Sequence, residues 1–482
     1  MNVLLINPDM GLCLLPKTVP MGLLSIASYL QTHHHSVQIY DRNVNRTSLK
    51  KIVEQFSPQV VGVSVTTSYH IDDAMAISRY FREHNIPVVW GGHMATIIPE
   101  LILQQRAADY VVLHEGEITF HELLQALENN TSVAQIDGLT YLDNNGNFVQ
   151  TPDRAFACLA EFPMLDWSLV RPEKYLDTFM GHRNVFRLYT SKGCPGRCTF
   201  CVNESFNRRS YRARPFLHTS SDIDHLIEHH GVDTIVFYDE LFGMDKQALR
   251  ELCDFLRSRN IIWGAQTKIG VLSPDDMQHM YDCGCRWLTY GIETGSAEMQ
   301  KRIRKGISLD KIDKDLQVCA NIGIAAAGNF IIGFPDETKD QLRETVALIL
   351  RSNFYRSMAN IFSPIPGTKL YGELVETGRI LACETLEEWS KTAIISFYGT
   401  TSNFSAVPTR HLLVLQNYIH WRSLFSQNKK LAQGMLKSTL GSLTQRRLWG
   451  MIRLGISFIK LFFSVAWYRF AYPDIRREYG LK

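Results

Sequence analysis

Residues 186–203 read FRLYTSKGCPGRCTFCVN, and the order of the parts decides the fold of the chain's second half. FRLYTS is a short strand-like run. Cys194, Cys198 and Cys201 follow it as C-x3-C-x2-C, three of the ten cysteines in the chain. Thiolates are soft ligands that suit zinc or an iron–sulfur cluster. A structural zinc site takes four ligands, and so does an ordinary 4Fe–4S cluster. A set that stops at three leaves one coordination position for something else. Gly193, Pro195 and Gly196 let the backbone wrap closely around a bound group.

Working outward, FRLYTS is the first of six strand-like runs, followed by TIVFYDE, IIWGAQT, RWLTYGIET, AAGNFIIG and MANIFSP. Amphipathic stretches separate them, among them KQALRELCDFLRSR and KDQLRETVALILRS. Six β/α units predict an open or partial barrel with its chemistry at the C-terminal strand ends. The cysteines stand after the first strand, at such an end. Upstream, NVLLIN, SVQIYD, VVGVSVT, PVVWGG and YVVLHEG alternate with helical stretches. That pattern predicts a doubly wound α/β sheet, whose ligands lie beyond the carboxyl ends of the strands. The expected organisation is a doubly wound domain over 1–130 and a linker with a hairpin at Asn144-Asn145-Gly146 over 131–185. The barrel core then runs over 186–400, and a mostly helical C-terminal region over 401–482.

Composition narrows the class. The chain has 482 residues, 45% apolar and 21% charged, which is ordinary globular content. A formal net charge of +3 gives no argument for nucleic acid. MNVLLINPDMG lacks the basic start of a signal peptide, and the other seven cysteines are scattered. Both point to a reducing, cytoplasmic setting. Cys283 and Cys285, one residue apart, make a poor zinc knuckle. His33, His34 and His35 precede the second strand, at the wrong end of the sheet for a ligand, and are expected in a solvated turn. The stretch 446–472 is the most apolar, but Arg453, Lys460 and Arg469 interrupt it. It fits an amphipathic helix docked on its own domain or lying on a membrane surface.

With those residues in place, the chain resembles the radical S-adenosylmethionine (SAM) enzymes. The resemblance rests on the CxxxCx(aromatic)C loop, with Phe200 as the aromatic, and on FYDELFG (237–243), YGIETGS (290–296), GNFIIGFPDET (328–338) and SPIPGT (363–368). It implies a 4Fe–4S cluster on Cys194, Cys198 and Cys201, whose open iron binds SAM. It places Asp239 and Glu240 near the SAM amino group, Glu293 facing SAM, and Gly333 with Pro335 shaping the adenine region. Read alone, Asp239 also suits a helix cap, and Glu293 an acid at a helix start.

The first half is similar to the cobalamin-binding domain found before many such cores, through VGVSVTTS, VVWGGHMATIIPE and YVVLHEGEITFHELL. The resemblance implies cobalamin contacts from Ser64, Thr66, Thr67, Gly91, Gly92, His93, Glu115, Gly116 and Glu117. His114 stands where the family form has a glycine. The family's lower-face histidine motif is absent: Asp9 is present, but Gly11 and Leu14 hold the other positions. A doubly wound domain that has lost its ligand is the alternative.

The implied activity is reductive cleavage of SAM to a 5′-deoxyadenosyl radical, with methyl transfer through cobalamin to an unactivated carbon of a small-molecule or lipid-like substrate. The implied electron donor is a flavodoxin or ferredoxin, and the apolar C-terminal helix suggests peripheral membrane contact. The alternatives are a radical cyclase or rearrangement enzyme without methyl transfer, as in the anaerobic porphyrin cyclases, and a cobalamin-binding sensor or carrier.

Overall fold

The structure, a computed structural model, describes residues 1–11, 17–352, 354–392, 403–425 and 472–481. The apolar stretch 446–472 therefore lies outside the described residues, apart from its last residue, and the expectation of membrane contact lies there with it. Among the described residues no helix is long and apolar enough to cross a membrane.

Strands β1 (Asn2–Asn7), β2 (Ser36–Asp41), β3 (Val60–Ser64), β4 (Val88–Gly91) and β5 (Tyr110–Val112) form the parallel part of one sheet. Strands β6 (Leu139–Leu142) and β7 (Phe148–Gln150) extend it antiparallel, in the order β2-β1-β3-β4-β5-β6-β7. Alternate residues point to opposite faces of a strand, so the sheet has two cores. Leu4, Ile6, Val61, Val63, Val88 and Trp90 pack on one face. Val3, Leu5, Val60 and Val89 pack on the other. Burial on both faces explains the unbroken apolar runs of these strands. The order reverses between β1 and β3, and the C-terminal ends at such a switch point are where doubly wound sheets bind ligands.

This first unit comprises Met1–Leu176, Val202–Gly231 and the described residues 366–392. The last part belongs here because Leu386 and Trp389 are buried in the same cluster as Ile71, Ala74 and Phe81. The histidine run is a turn, as expected, with His34 exposed, but it is not solvated throughout. His35 is buried, its Nε2 lies 3.3 Å from His121 Nδ1, and the His33 ring stacks 4.1 Å from His121. The helix Glu117–Asn129 covers the turn and supplies His121.

The second unit comprises Asp177–Cys201, Val232–Ile365 and the described residues from 403 on. Its strands are β8 (Asp177–Phe179), β9 (His182–Leu188), β10 (Thr234–Phe237), β11 (Ile262–Thr267), β12 (Cys285–Glu293), β13 (Ala325–Ile332) and β14 (Arg356–Ile361). They lie in sequence order, and β9 to β14 are all parallel. This is the expected open barrel of six β/α units, with β8 added antiparallel at one edge. Its helices start where the sequence has caps. Asp245 accepts from the amides of Gln247 and Ala248. Ser273 and Thr338 each close a capping box, with Asp276 and Gln341.

The other edge, β14, is covered by helix Thr409–Phe425. Gln416 Nε2 donates to Ala359 O, while the Ala359 and Ser357 amides donate to His420 Nε2 and Ser423 Oγ. Spaced by about one helical turn, these three side chains satisfy backbone groups that an open edge strand leaves unpaired.

Candidate active site

The loop after β9 holds the three thiols, all partly open to solvent. Gly193 has φ +81°, in the left-handed region that glycine adopts at no cost. Its amide donates to Glu240 Oε2 at 3.2 Å. The Gly196 amide donates to Cys194 Sγ at 3.4 Å. A Cβ at Gly196 would stand 3.2 Å from Cys194 Sγ and 3.8 Å from Cys198 Sγ, so glycine keeps open the space between the two thiols. The Cys201 amide closes a turn on Cys198 O, and the Thr199 amide donates to Ile303 O.

That last bond ties the cysteine loop to the segment carrying Lys305. Lys305 Nζ lies 2.6 Å from Glu293 Oε1 and 5.9 Å from the Phe200 ring centre. Burial works against the Lys305 charge, but Glu293 and the neighbouring thiols outweigh it, and the ammonium's pKa is raised. The Cys198 thiol is pushed up, first by burial, while Lys305 and Lys268 pull the other way. Glu293 sits at φ +69°, where the ladder from β12 to β13 slips. It therefore ends the strand facing Lys305 rather than capping the helix Ala297–Arg302. Phe200 packs against Phe334 at 5.8 Å between ring centres.

Asp239 is fully buried after β10. Its Oδ1 accepts from the Thr190 amide at 3.0 Å, the Thr190 hydroxyl at 2.8 Å and the Ser191 hydroxyl. Its Oδ2 has no partner among the described residues. Burial raises its pKa to about 6, against those donors. Asp239 therefore fastens the start of the cysteine loop to the second barrel strand, and the helix cap belongs to Asp245. Gly333 has φ +76°, and a Cβ there would come within 2.7 Å of Leu412. Its amide donates to the buried Glu337.

In the first unit, Ser64 ends β3, and the Thr66 and Thr67 amides both point to His70 Nδ1 at 3.3 Å. Burial lowers the His70 pKa to about 4, so the ring is neutral and accepts these bonds. Gly92, after β4, has φ +98°, and a Cβ there would stand 3.0 Å from Val65 O. Only glycine closes that approach. Gly91 has more room. The His93 ring stacks on Phe206 at 3.7 Å between centres. The Glu115 carboxylate is held by a two-pronged bond from Arg212, 2.8 Å on each prong. Gly116 precedes helix Glu117–Asn129, and the buried Glu117 accepts from Ser25 Oγ at 2.6 Å. His114 has φ +58°, which explains a glycine in the family form. Here the strained backbone is fixed by bonds from the His114 amide to Thr96 and between its ring and Phe206 O.

Sequence reasoning missed Lys305, Lys268, His70, Arg212 and Glu337. A lone lysine in a loop has no periodicity to mark it. His70 and Arg212 act on groups brought close only by folding. Glu337 was inside a quoted motif, and its position four residues after a left-handed glycine was the available signal.

The strand order, the three-thiol loop at the first barrel strand and the glycine-lined ends of the doubly wound sheet together define a radical SAM barrel joined to a cobalamin-type domain. Family models agree: the B12 binding domain matches residues 9–124 and the radical SAM superfamily residues 188–349. The chain belongs to the radical SAM enzymes that carry a B12-binding domain. It is 27% identical over 443 residues to an uncharacterised methyltransferase of Pyrococcus horikoshii, covering 90% of this chain and 94% of that one. It is 24% identical over 462 residues to the cytidylyl-2-hydroxyethylphosphonate methyltransferase of Streptomyces wedmorensis, covering 83% and 86%. In fold it is similar to the radical SAM methyltransferase TsrM of Kitasatospora setae, solved with tryptophan and a SAM analogue (TM-score 0.67, 19% identity, 78% and 76% covered). It is also similar to the cobalamin-dependent radical SAM enzyme OxsB (TM-score 0.69, 17% identity, 91% and 70% covered).

The residues fit the cofactors of this family. Three accessible thiols around a glycine that leaves room between them suit a thiolate-held cluster. Gly91-Gly92 suits the close approach of a large flat ligand.

Proposed function

We propose that the chain is a cobalamin-dependent radical SAM methyltransferase acting on an unactivated carbon of a small-molecule substrate. The observation that carries this reading is the open three-thiol loop, with Gly196 between Cys194 and Cys198, in one polypeptide with a B12-binding domain. Methyltransferase names among relatives that span most of the chain support it. Anaerobic magnesium-protoporphyrin monomethyl ester cyclases are also relatives, and they keep the reading without methyl transfer in play for the experiment.

Cys194, Cys198 and Cys201 hold the cluster, and Phe200 packs the loop against Phe334. Glu293, held 2.6 Å from Lys305 Nζ, offers a carboxylate to a ribose hydroxyl or an ammonium. Glu240 and Asp239 hold the loop in register from the neighbouring strand. Gly333 lets Leu412 pack against the end of β13 and so shapes the region proposed for the adenine. In the other unit, Ser64, Thr66, Thr67 and Gly91 to His93 line the strand ends for cobalamin, and Glu115 to Glu117 brace that rim. When bound, the cluster supplies the electron that cleaves SAM and cobalamin carries the methyl group. For the electron donor, an acidic protein such as a flavodoxin or ferredoxin suits a cleft of about 560 Å³ where Lys268, Lys311 and Lys314 outnumber Asp310, although Lys311 is paired with Asp315.

The test is anaerobic reconstitution with iron, sulfide and cobalamin, followed by turnover with SAM, a reductant and candidate substrates. Methyl transfer yields S-adenosylhomocysteine together with 5′-deoxyadenosine. Productive turnover that forms 5′-deoxyadenosine without S-adenosylhomocysteine sinks methylation and favours the cyclase-like chemistry.

A further inference from the structure

Cys283 and Cys285 precede β12, at the barrel end opposite the cysteine loop. Neither belongs to the chemistry above. The structure separates the two thiols. Cys285 is buried, with its Sγ against Trp287 O. Cys283 instead stands one helical turn after His279, at the end of helix Pro274–Asp282, and both face the neighbouring helix Lys246–Ser258. That helix contributes Asp254.

His279 Nε2 lies 3.4 Å from Asp254 Oδ1 and 4.0 Å from Cys283 Sγ. One ring nitrogen thus faces a carboxylate and a thiol together, and all three donor atoms lie within 4.8 Å of one another. A single N–H serves only one of the two acceptors. A metal ion serves all three. Zinc bonds of about 2.3 Å to sulfur and about 2.0–2.1 Å to nitrogen and oxygen, at tetrahedral angles, put sulfur and nitrogen about 3.6 Å apart and nitrogen and oxygen about 3.4 Å apart. The nitrogen–oxygen separation already fits, the sulfur–nitrogen separation needs a contraction of a few tenths of an ångström, and the thiol and carboxylate, within 4.8 Å of each other, close toward about 3.6 Å.

The setting is firm behind the thiol and open in front. Cys283 is 1% exposed, its carbonyl accepts from Trp263 Nε1 at 2.8 Å, and its amide donates to His279 O at 3.0 Å. The His279 side chain is about one-third exposed and that of Asp254 more than half, so a fourth position faces solvent.

We propose that Asp254, His279 and Cys283 form a second metal site, for zinc or a similar divalent ion, with water as the fourth ligand. The site staples two outer helices of the barrel. Binding forms the metal–sulfur bond and releases the thiol proton to solvent, with no change of oxidation state. The inference does not depend on the methyl-transfer reading, and each can fail alone.

The test uses the full chain with its cluster assembled, so that Cys194, Cys198 and Cys201 are occupied. Zinc is titrated against a chromophoric chelator, and cobalt is used as a spectroscopic probe. The expected result is one further equivalent of zinc and a thiolate-to-cobalt charge-transfer band. Cys283→Ser removes the band, and Cys283→Ser and His279→Gln each weaken zinc binding by more than about 100-fold, beyond the cost of losing an outer partner. Uptake persists when Cys194, Cys198 and Cys201 are all replaced by alanine. Zinc uptake by His279→Gln equal to that of the unaltered chain, with helix content preserved, overturns the proposal. So does the lack of any zinc uptake by the chain with an intact cluster.

Discussion

Lys305 places its Nζ 2.6 Å from Glu293 Oε1, with both side chains nearly withdrawn from solvent, at 13% and 10% exposure. The pair is fitted around a glycine: a Cβ on Gly291 would stand 2.6 Å from Glu293 Oε1 and 2.7 Å from Lys305 Nζ. Glu293 comes from the end of a central strand and Lys305 from the segment bonded to the cysteine loop. The pair therefore links the strand that presents a carboxylate to the loop that presents the thiols.

Removing one partner leaves the other charge uncompensated. Lys305→Met is expected to destabilise the second unit by roughly 3 kcal/mol and to weaken SAM binding. Lys305→Met with Glu293→Leu recovers most of the stability and none of the SAM binding. Thermal melts and equilibrium binding of SAM to the reconstituted protein separate the two effects. A Lys305→Met chain as stable as the parent contradicts the account of the pair.

The two cofactor regions are predicted to be separable at glycines. Gly92→Ala forces a left-handed backbone onto alanine and a Cβ to 3.0 Å from Val65 O. A strain of about 1–2 kcal/mol lowers the melting temperature, and the loop shift that relieves it weakens cobalamin binding, with iron content unchanged. Gly196→Ala should do the reverse, lowering iron and sulfide per chain while cobalamin binding holds. Cobalamin titration and iron analysis on both variants check this. Equal losses of both cofactors in either variant would count against it.

Arg212 engages Glu115 with two bonds and lies 4.3 Å over the Phe156 ring. Lysine keeps the charge but loses both the fork and the planar stack. Arg212→Lys is expected to cost about 1–2 kcal/mol, seen as a lower melting temperature, with cobalamin binding weakened in parallel. An unchanged melting temperature rules out the fork as a brace.

How much of this was legible in the sequence depends on the range of the interactions. Strand runs such as NVLLIN and TIVFYDE are dictated by burial on both faces, and their periodicity is local. The cysteine loop is local too, and so are the caps at Ser273 and Thr338. What was not legible was long-range. Residues 202–231 follow Cys201 directly, yet Phe206 and Arg212 pack on His93 and Glu115 of the first unit. Nothing in NESFNRRSYRAR announces that partner. Helix Thr409–Phe425 reads as a generic helix until Gln416, His420 and Ser423 are seen against the edge strand. The turn at histidines 33–35 reads as fully solvated because His121, which shields two of them, lies 86 residues beyond His35.

Glu337 provides a pH test. Its carboxyl is fully buried, with one oxygen accepting from the Gly333 amide and the other without a partner among the described residues. Burial raises its pKa to about 8, against the backbone donors at Gly333 and Phe334. The unfolded chain releases this proton near the ordinary value of 4.5, whereas the folded chain keeps it to about 8. Between those values the folded state binds more protons, so stability is full below the unfolded value and falls as pH rises through the window. The loss is on the order of 5 kcal/mol at 1.36 kcal/mol per pKa unit. Asp239, raised to about 6, adds a smaller loss of the same sign over the lower part of the range. Glu337→Gln carries no charge to bury and retains an oxygen for the Gly333 amide. Its melting temperature should stay nearly level from roughly pH 6.5 to roughly pH 8.5, above the Asp239 range, while that of the parent chain declines. A parent chain whose melting temperature rises over that range, or a variant that declines as steeply, would show that Glu337 is ionised in the folded protein.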